Sequence, residues 1–206
     1  MPKVGVVLSG CGVYDGAEIH ESVITMLALD RAGAEMELMA PNIDQLHVIN
    51  HLNGEEAEGE SRNVLVEAAR IARGNIRDIA EVQGKDLDAL IFPGGFGVAK
   101  NLCDYAMTGA DCSVNPDVER LAREVHEAGK PVGAMCIAPA MMAKILGSQG
   151  EAVDLTIGSD EKTAADIDTM GAHHIACPVK ETVIDRERKV ISTPAYMGAQ
   201  SISEAA

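Results

Sequence analysis

Short apolar runs without helical periodicity alternate along this chain with stretches whose apolar residues recur every three or four positions. That alternation narrows the fold more than any other feature, because each period belongs to one kind of element. Residues 4–8 read as a strand buried on both faces. Residues 17–31 read as a helix with Ile19, Val23, Met26 and Leu27 along one side, stopped near Gly33. A second strand spans 35–40 and ends at Pro41, and Ser61 then caps a helix carrying Val64, Leu65, Ala68, Ile71 and Ala72. A strand follows at 87–92. Asn115-Pro116 opens a helix presenting Val118, Leu121, Ala122 and Val125, and a strand at 132–135 leads into a helix directly after Cys136. The remainder reads as a strand at 155–157, a helix at 163–170 and strands at 183–184 and 190–192. Such a series implies βαβ units with right-handed crossovers. The expected fold is therefore α/β, a three-layer sandwich with a mainly parallel central sheet and helices on both faces. A chain of 206 residues is expected to form a single domain, 1–206. The polar stretch 42–60 reads as an insertion outside the core.

Composition says what fills that core and what it excludes. Hydrophobic residues make up 47% of the chain but aromatic residues only 2%. Aliphatic and Met side chains must therefore pack the interior, and base stacking on aromatic platforms is not expected. A net charge of −15 repels phosphate backbones and anionic lipid, so no nucleic-acid or membrane partner is expected. The five cysteines are odd in number and lack a C-x-x-C pair, which points to a reducing compartment. Without an apolar or charged leader the expectation is a cytoplasmic protein. Residues 201–206 read as the start of a helix, which points to further sequence beyond them.

Three segments carry candidate chemistry. Gly133-Ala134-Met135-Cys136-Ile137-Ala138-Pro139 places a cysteine between a strand and a helix, the setting of a nucleophile elbow. A helix N-terminus at that position favours the thiolate; the alternative is a buried structural cysteine. Pro93-Gly94-Gly95-Phe96-Gly97 follows a buried strand, where glycines can turn backbone N–H groups towards a ligand or can simply make a tight turn. With the N–H of Ile137, that of Gly95 would complete an oxyanion hole. The third segment runs Ser9-Gly10-Cys11-Gly12-Val13-Tyr14-Asp15-Gly16 into a helix that begins with Ala17-Glu18-Ile19-His20-Glu21. Glu18 and Glu21 share one helical face and His20 points elsewhere; the plainer reading is complementation of the helix dipole. His47 and His51 have zinc-ligand spacing but no third ligand nearby, and His173 and His174 face opposite ways if extended. No metal is expected.

Together these segments resemble the ThiJ/PfpI superfamily, whose fold is that of class I glutamine amidotransferases and is flavodoxin-like. The stretches 8–16, 94–102 and 136–140, with Ser61-Arg62-Asn63-Val64 and Thr193-Pro194-Ala195-Tyr196-Met197, are similar to its ElbB-type branch. The resemblance implies a catalytic Cys136 paired with Glu21, an oxyanion hole at Gly95 and Ile137, no cofactor, and a homodimer. It further implies a weak glyoxalase acting without glutathione or metal on glyoxal or methylglyoxal. One departure matters: relatives with amidase chemistry carry a histidine after the cysteine, whereas this chain has Ile137.

The expected mechanism is addition of the Cys136 thiolate to an aldehyde, giving a hemithioacetal. Glu21 then moves a proton between the two carbons, and water releases glycolate or lactate. The carboxyl is expected to be protonated beside the thiolate, its pKa raised by charge and burial. Gly94, Cys11, Tyr14, Asp15, His20 and Asn101 are candidates for orienting a small dicarbonyl or other electrophilic substrate, with His20 the nearest second proton carrier by sequence. The competing expectation is a non-enzymatic small-molecule-binding or redox-sensing protein with an oxidisable Cys136.

Overall fold

The computed structural model describes every residue of the chain except Gln149 and Glu151. Its first half runs β1 (Lys3–Val7), α1 (Ile19–Arg31), β2 (Glu35–Ala40), β3 (Ile49–Asn50), β4 (Glu55–Glu56), α2 (Val64–Ile71), β5 (Arg77–Asp78) and β6 (Ala89–Phe92). The second half runs α3 (Tyr105–Thr108), α4 (Pro116–Glu127), β7 (Val132–Met135), α5 (Ala138–Gly147), β8 (Asp154–Leu155) and α6 (Glu161–Thr169). It ends with β9 (His173–His174), β10 (Val183–Asp185), β11 (Val190–Thr193) and α7 (Ile202–Ala205). Seven strands form one sheet in the order β10-β11-β7-β6-β1-β2-β5. Every pairing in it is parallel except β10 with β11.

Successive side chains of a strand point to opposite faces, and each face here has its own core. Val6, Leu8 and Ala40 point towards Val64 and Ala68 of α2, whereas Val7, Met39 and Phe92 join Leu121, Met141 and Ile145 on the other side. Helices α1 and α2 pack against β2, while α4 and α5 pack against β7, which gives the three layers. Methionine and aliphatic residues do fill the larger core, as the low aromatic content requires.

Several local expectations shift. Asn63, not Ser61, caps α2, its Oδ1 accepting the N–H of Val66 at 3.0 Å. Strand β8 does not join the main sheet; it pairs with β9 in a separate two-stranded sheet. The insertion carries the β3–β4 hairpin and is clipped to the glycine-rich loop after β1, since Asp15 Oδ2 accepts the N–H of Ile49 at 2.7 Å. Most instructive is α1. Its apolar stripe faces outward, with Ile19, Val23 and Leu27 42%, 46% and 44% exposed, while Glu21, Ser22 and Thr25 are buried. On that inward face Ser22 donates to the Glu18 carbonyl, Thr25 to Met135 Sδ, and Glu21 reaches the centre described next. No helix among the described residues is long and apolar enough to cross a membrane.

Candidate active site

The carboxyl ends of β1, β6, β7 and β11 meet at one edge of the sheet, where ligands bind in open α/β folds. Cys136 sits between β7 and α5 with φ of +60°, a left-handed conformation that costs a non-glycine residue roughly 1–2 kcal/mol. Its N–H donates to the Thr193 carbonyl at the end of β11 (3.0 Å), which holds the turn against the neighbouring strand. This is the elbow geometry expected from the sequence. Cys136 lines a cavity of about 480 Å3, although the residue is only 8% exposed.

Glu21 reaches the same point from α1. Its Oε2 accepts the N–H of Gly94 at 2.8 Å and its Oε1 the N–H of Tyr196 at 3.1 Å. Glu18 caps the helix, its Oε2 accepting the Glu21 N–H at 2.7 Å, and thereby fixes the first turn from which Glu21 extends. Gly94 must be glycine for this packing: a Cβ there would lie 2.7 Å from Glu21 Oε2 and 3.0 Å from Cys136 Sγ. Gly95 adopts φ of +100°, a conformation glycine takes without strain. The backbone N–H groups of Gly95 and Ile137 both act on the Cys136 sulfur, from the loop after β6 and from the N-cap of α5.

Burial dominates the electrostatics. It raises Glu21 to about 7 from an ordinary 4.5, against the opposing pull of the N–H groups of Tyr196 and Gly94, with Glu18 adding a smaller upward push. Burial also pushes the Cys136 thiol up, and the Glu21 charge pushes it further; the N–H groups of Gly95 and Ile137 pull the other way. The thiolate favoured by a helix terminus is therefore overruled: desolvation outweighs the dipole. The thiol keeps its proton and hydrogen-bonds to Glu21, whose two oxygens accept backbone N–H groups and whose carboxyl stands between its neutral and charged forms near pH 7. The raised Glu21 pKa is as expected from burial; what differs from the expectation is that the sulfur also keeps its proton.

The structure brings Cys136, Glu21, Gly94, Gly95 and Ile137 together and engages the other candidates elsewhere. Asn101 Nδ2 donates to the carbonyls of Ser9 and Asp15, both at 2.9 Å, and its Oδ1 accepts the N–H of Leu46 at 3.0 Å. Asp15 holds the β3–β4 hairpin, and Tyr14 stacks on His51 with ring centroids 4.9 Å apart. Cys11 lies by Glu67 and Arg70, off the cavity wall. None of these four lines the cavity. His20 does point away from Glu21, but its Nδ1 lies 2.9 Å from the Tyr196 hydroxyl. The wall is completed by Phe96, Tyr105, Met107, Asp166, Tyr196 and Met197. Of these, Phe96 stood in the glycine motif after β6 and Tyr196 and Met197 in the motif after the last strand; Tyr105, Met107 and Asp166 come from segments whose local pattern says nothing of a cavity.

The chain belongs to the DJ-1/PfpI family, whose model matches residues 11–154. It is 49% identical over 204 residues to a human protein, glutamine amidotransferase-like class 1 domain-containing protein 3, mitochondrial, covering 95% of this chain and 75% of that one. Among solved structures, the isoprenoid biosynthesis protein with amidotransferase-like domain from Ehrlichia chaffeensis is 39% identical. It superposes with a TM-score of 0.92 over 100% of this chain and 92% of that one. Glyoxalase III from Candida albicans shares the fold at 15% identity, with a TM-score of 0.62 and coverage of 93% and 90%.

Proposed function

We propose that the chain is a glyoxalase that converts glyoxal or methylglyoxal to glycolate or lactate through a hemithioacetal on Cys136. The observation that carries this reading is a buried thiol facing a cavity with a carboxylate as its hydrogen-bond partner and two backbone N–H groups on the sulfur. A thiol in that position adds to an aldehyde carbon while Glu21 takes its proton and returns it to the new hydroxyl oxygen. Charge developing on that oxygen lies beside the N–H groups of Gly95 and Ile137. Glu21 then removes hydrogen from the sulfur-bearing carbon, the carbonyl oxygen next to it gains a proton, and an enediol forms. Return of hydrogen to the second carbon leaves a thioester, which water cleaves to the hydroxy acid and the free thiol. The sum is dicarbonyl plus water, with no oxidant, reductant or thiol cofactor in the balance. Ile137 in place of a histidine weighs against amide hydrolysis, which needs a proton for the leaving amine.

A redox-sensing role draws less support. Peroxide attacks thiolates, and burial with the Glu21 charge keeps this thiol protonated. The deciding experiment is turnover of glyoxal and methylglyoxal without glutathione, wild type beside Cys136→Ala and Glu21→Gln. Hydroxy acid formed by wild type and lost in both variants is the expected result; an inert wild type, or Cys136→Ala matching it, overturns the reading.

A further inference from the structure

The enediol step moves two protons, one at carbon and one at oxygen, and Glu21 can serve only one of them at a time. We infer that Tyr196 is the second proton carrier and that His20 connects it to solvent, a relay that rests on the glyoxalase reading above.

Tyr196 follows β11 and lines the cavity that also exposes Cys136. Two bonds fix it from opposite ends. Its backbone N–H donates to Glu21 Oε1 at 3.1 Å, and its hydroxyl meets His20 Nδ1 at 2.9 Å, with ring centroids 5.8 Å apart. The turn that delivers it is strained: Ala195, buried beneath it, holds φ of +43°. Burial, with smaller contributions from Glu18 and Glu21, raises the phenol above its ordinary value, so it enters the reaction as an O–H donor. The His20 side chain is 52% exposed, and Glu18 Oε1 lies 4.0 Å from its Nδ1. A path of Tyr196 hydroxyl, His20 ring and water therefore runs from cavity to surface.

In the reaction the phenol gives its proton to the carbonyl oxygen beside the hemithioacetal carbon as Glu21 takes the carbon-bound hydrogen. His20 Nδ1–H reprotonates the phenolate and recovers a proton from water. When Glu21 returns hydrogen to the second carbon, the hydroxyl on the first loses its proton back through the same path. No proton is gained or lost overall. The arrangement also accounts for a site without a histidine after the nucleophile, because the imidazole is supplied from α1, one residue before Glu21.

The test is steady-state kinetics on glyoxal with Tyr196→Phe and His20→Ala, both checked for unchanged melting. Tyr196→Phe keeps the backbone bond to Glu21 and should lower kcat about 10²-fold with KM nearly constant, the size expected of one general acid. His20→Ala should lower kcat less, roughly tenfold, and millimolar imidazole should restore it, since the vacated position is open to water. Imidazole should leave Tyr196→Phe unchanged. A merely structural role for His20 predicts no rescue. Active wild type with Tyr196→Phe within a factor of two of it, or His20→Ala unmoved by imidazole, overturns the relay alone. Wild type inert on glyoxal overturns the glyoxalase reading and the relay with it.

Discussion

Two glutamates lie buried on neighbouring helices of the same layer, and the chain treats them in opposite ways. Glu67 on α2 faces cations: Arg70 Nε lies 2.9 Å from its Oε2 and Arg62 3.8 Å from the same atom. Glu21 on α1 is met by two backbone N–H groups and a thiol, and no Lys or Arg among the described residues pairs with it. A carboxylate matched by arginine ties one helix to the loop before it. A carboxylate buried without a cation is poised between its two protonation states near neutral pH. The difference separates a residue that serves the fold from one that serves chemistry.

The contrast breaks most visibly in turnover. Cys136→Ala should abolish it, and Glu21→Gln should lower kcat/KM by about 10²–10⁴-fold, the range for a general base. Glu67→Gln should leave it within a factor of about two, since nothing links Glu67 to the cavity. An equal loss in the two glutamine variants would dissolve the distinction.

The pH profile sharpens it next. Glu21 acts as a carboxylate, so kcat/KM should climb as pH rises through about 7 and level off above. Below that point the fall should approach roughly tenfold per pH unit. Glu67→Gln should keep this limb in place. A flat profile between pH 5 and 8 would show that Glu21 does not gate the reaction.

Stability gives the smallest effect and the most specific one, because the same substitution should act with opposite sign. The folded-state pKa of Glu21, about 7, lies above its ordinary 4.5. The folded chain therefore holds a proton that the unfolded chain has lost. Stability from this group is full below about 4.5 and declines as pH rises to about 7, by about 3 kcal/mol at roughly 1.4 kcal/mol per pH unit. Glu21→Gln, which cannot ionise, should be more stable than wild type by up to that amount at pH 8 and equal to it near pH 4. Glu67→Gln should lose about 1 kcal/mol at pH 8, because its arginines are partly exposed and remain solvated. Urea melts of both variants at pH 4 and pH 8 would decide the matter; Glu21→Gln destabilised at pH 8 would contradict the assigned cause.

Much of the site's framework was legible locally. A cysteine between a buried strand and a Pro-containing helix start, and paired glycines after another strand, are local signals because an elbow or a tight turn is made by adjacent residues. The same locality misled at α1, where the apolar stripe pointed to a core-facing side that the fold turned outward. Periodicity shows that a helix has two faces, and only its neighbours decide which one is covered. It misled again at Asn101 and Asp15, whose type fits substrate binding but whose hydrogen-bonding groups are taken up by the loops they hold.

The sequence by itself determined the alternation of strands and helices, the mainly parallel sheet and the position of the strained cysteine, all consequences of periods and turns within a few residues. Only the tertiary structure decided that Glu21 would lose its water without gaining a cation, that the Cys136 thiol would stay protonated, and that Tyr196 would stand across from His20. Tyr196 and Glu21 lie 175 residues apart in the chain. Their meeting follows from placing β11 beside β7 and α1 behind β1, and the charge state of a buried group follows from that surrounding, not from the residue itself.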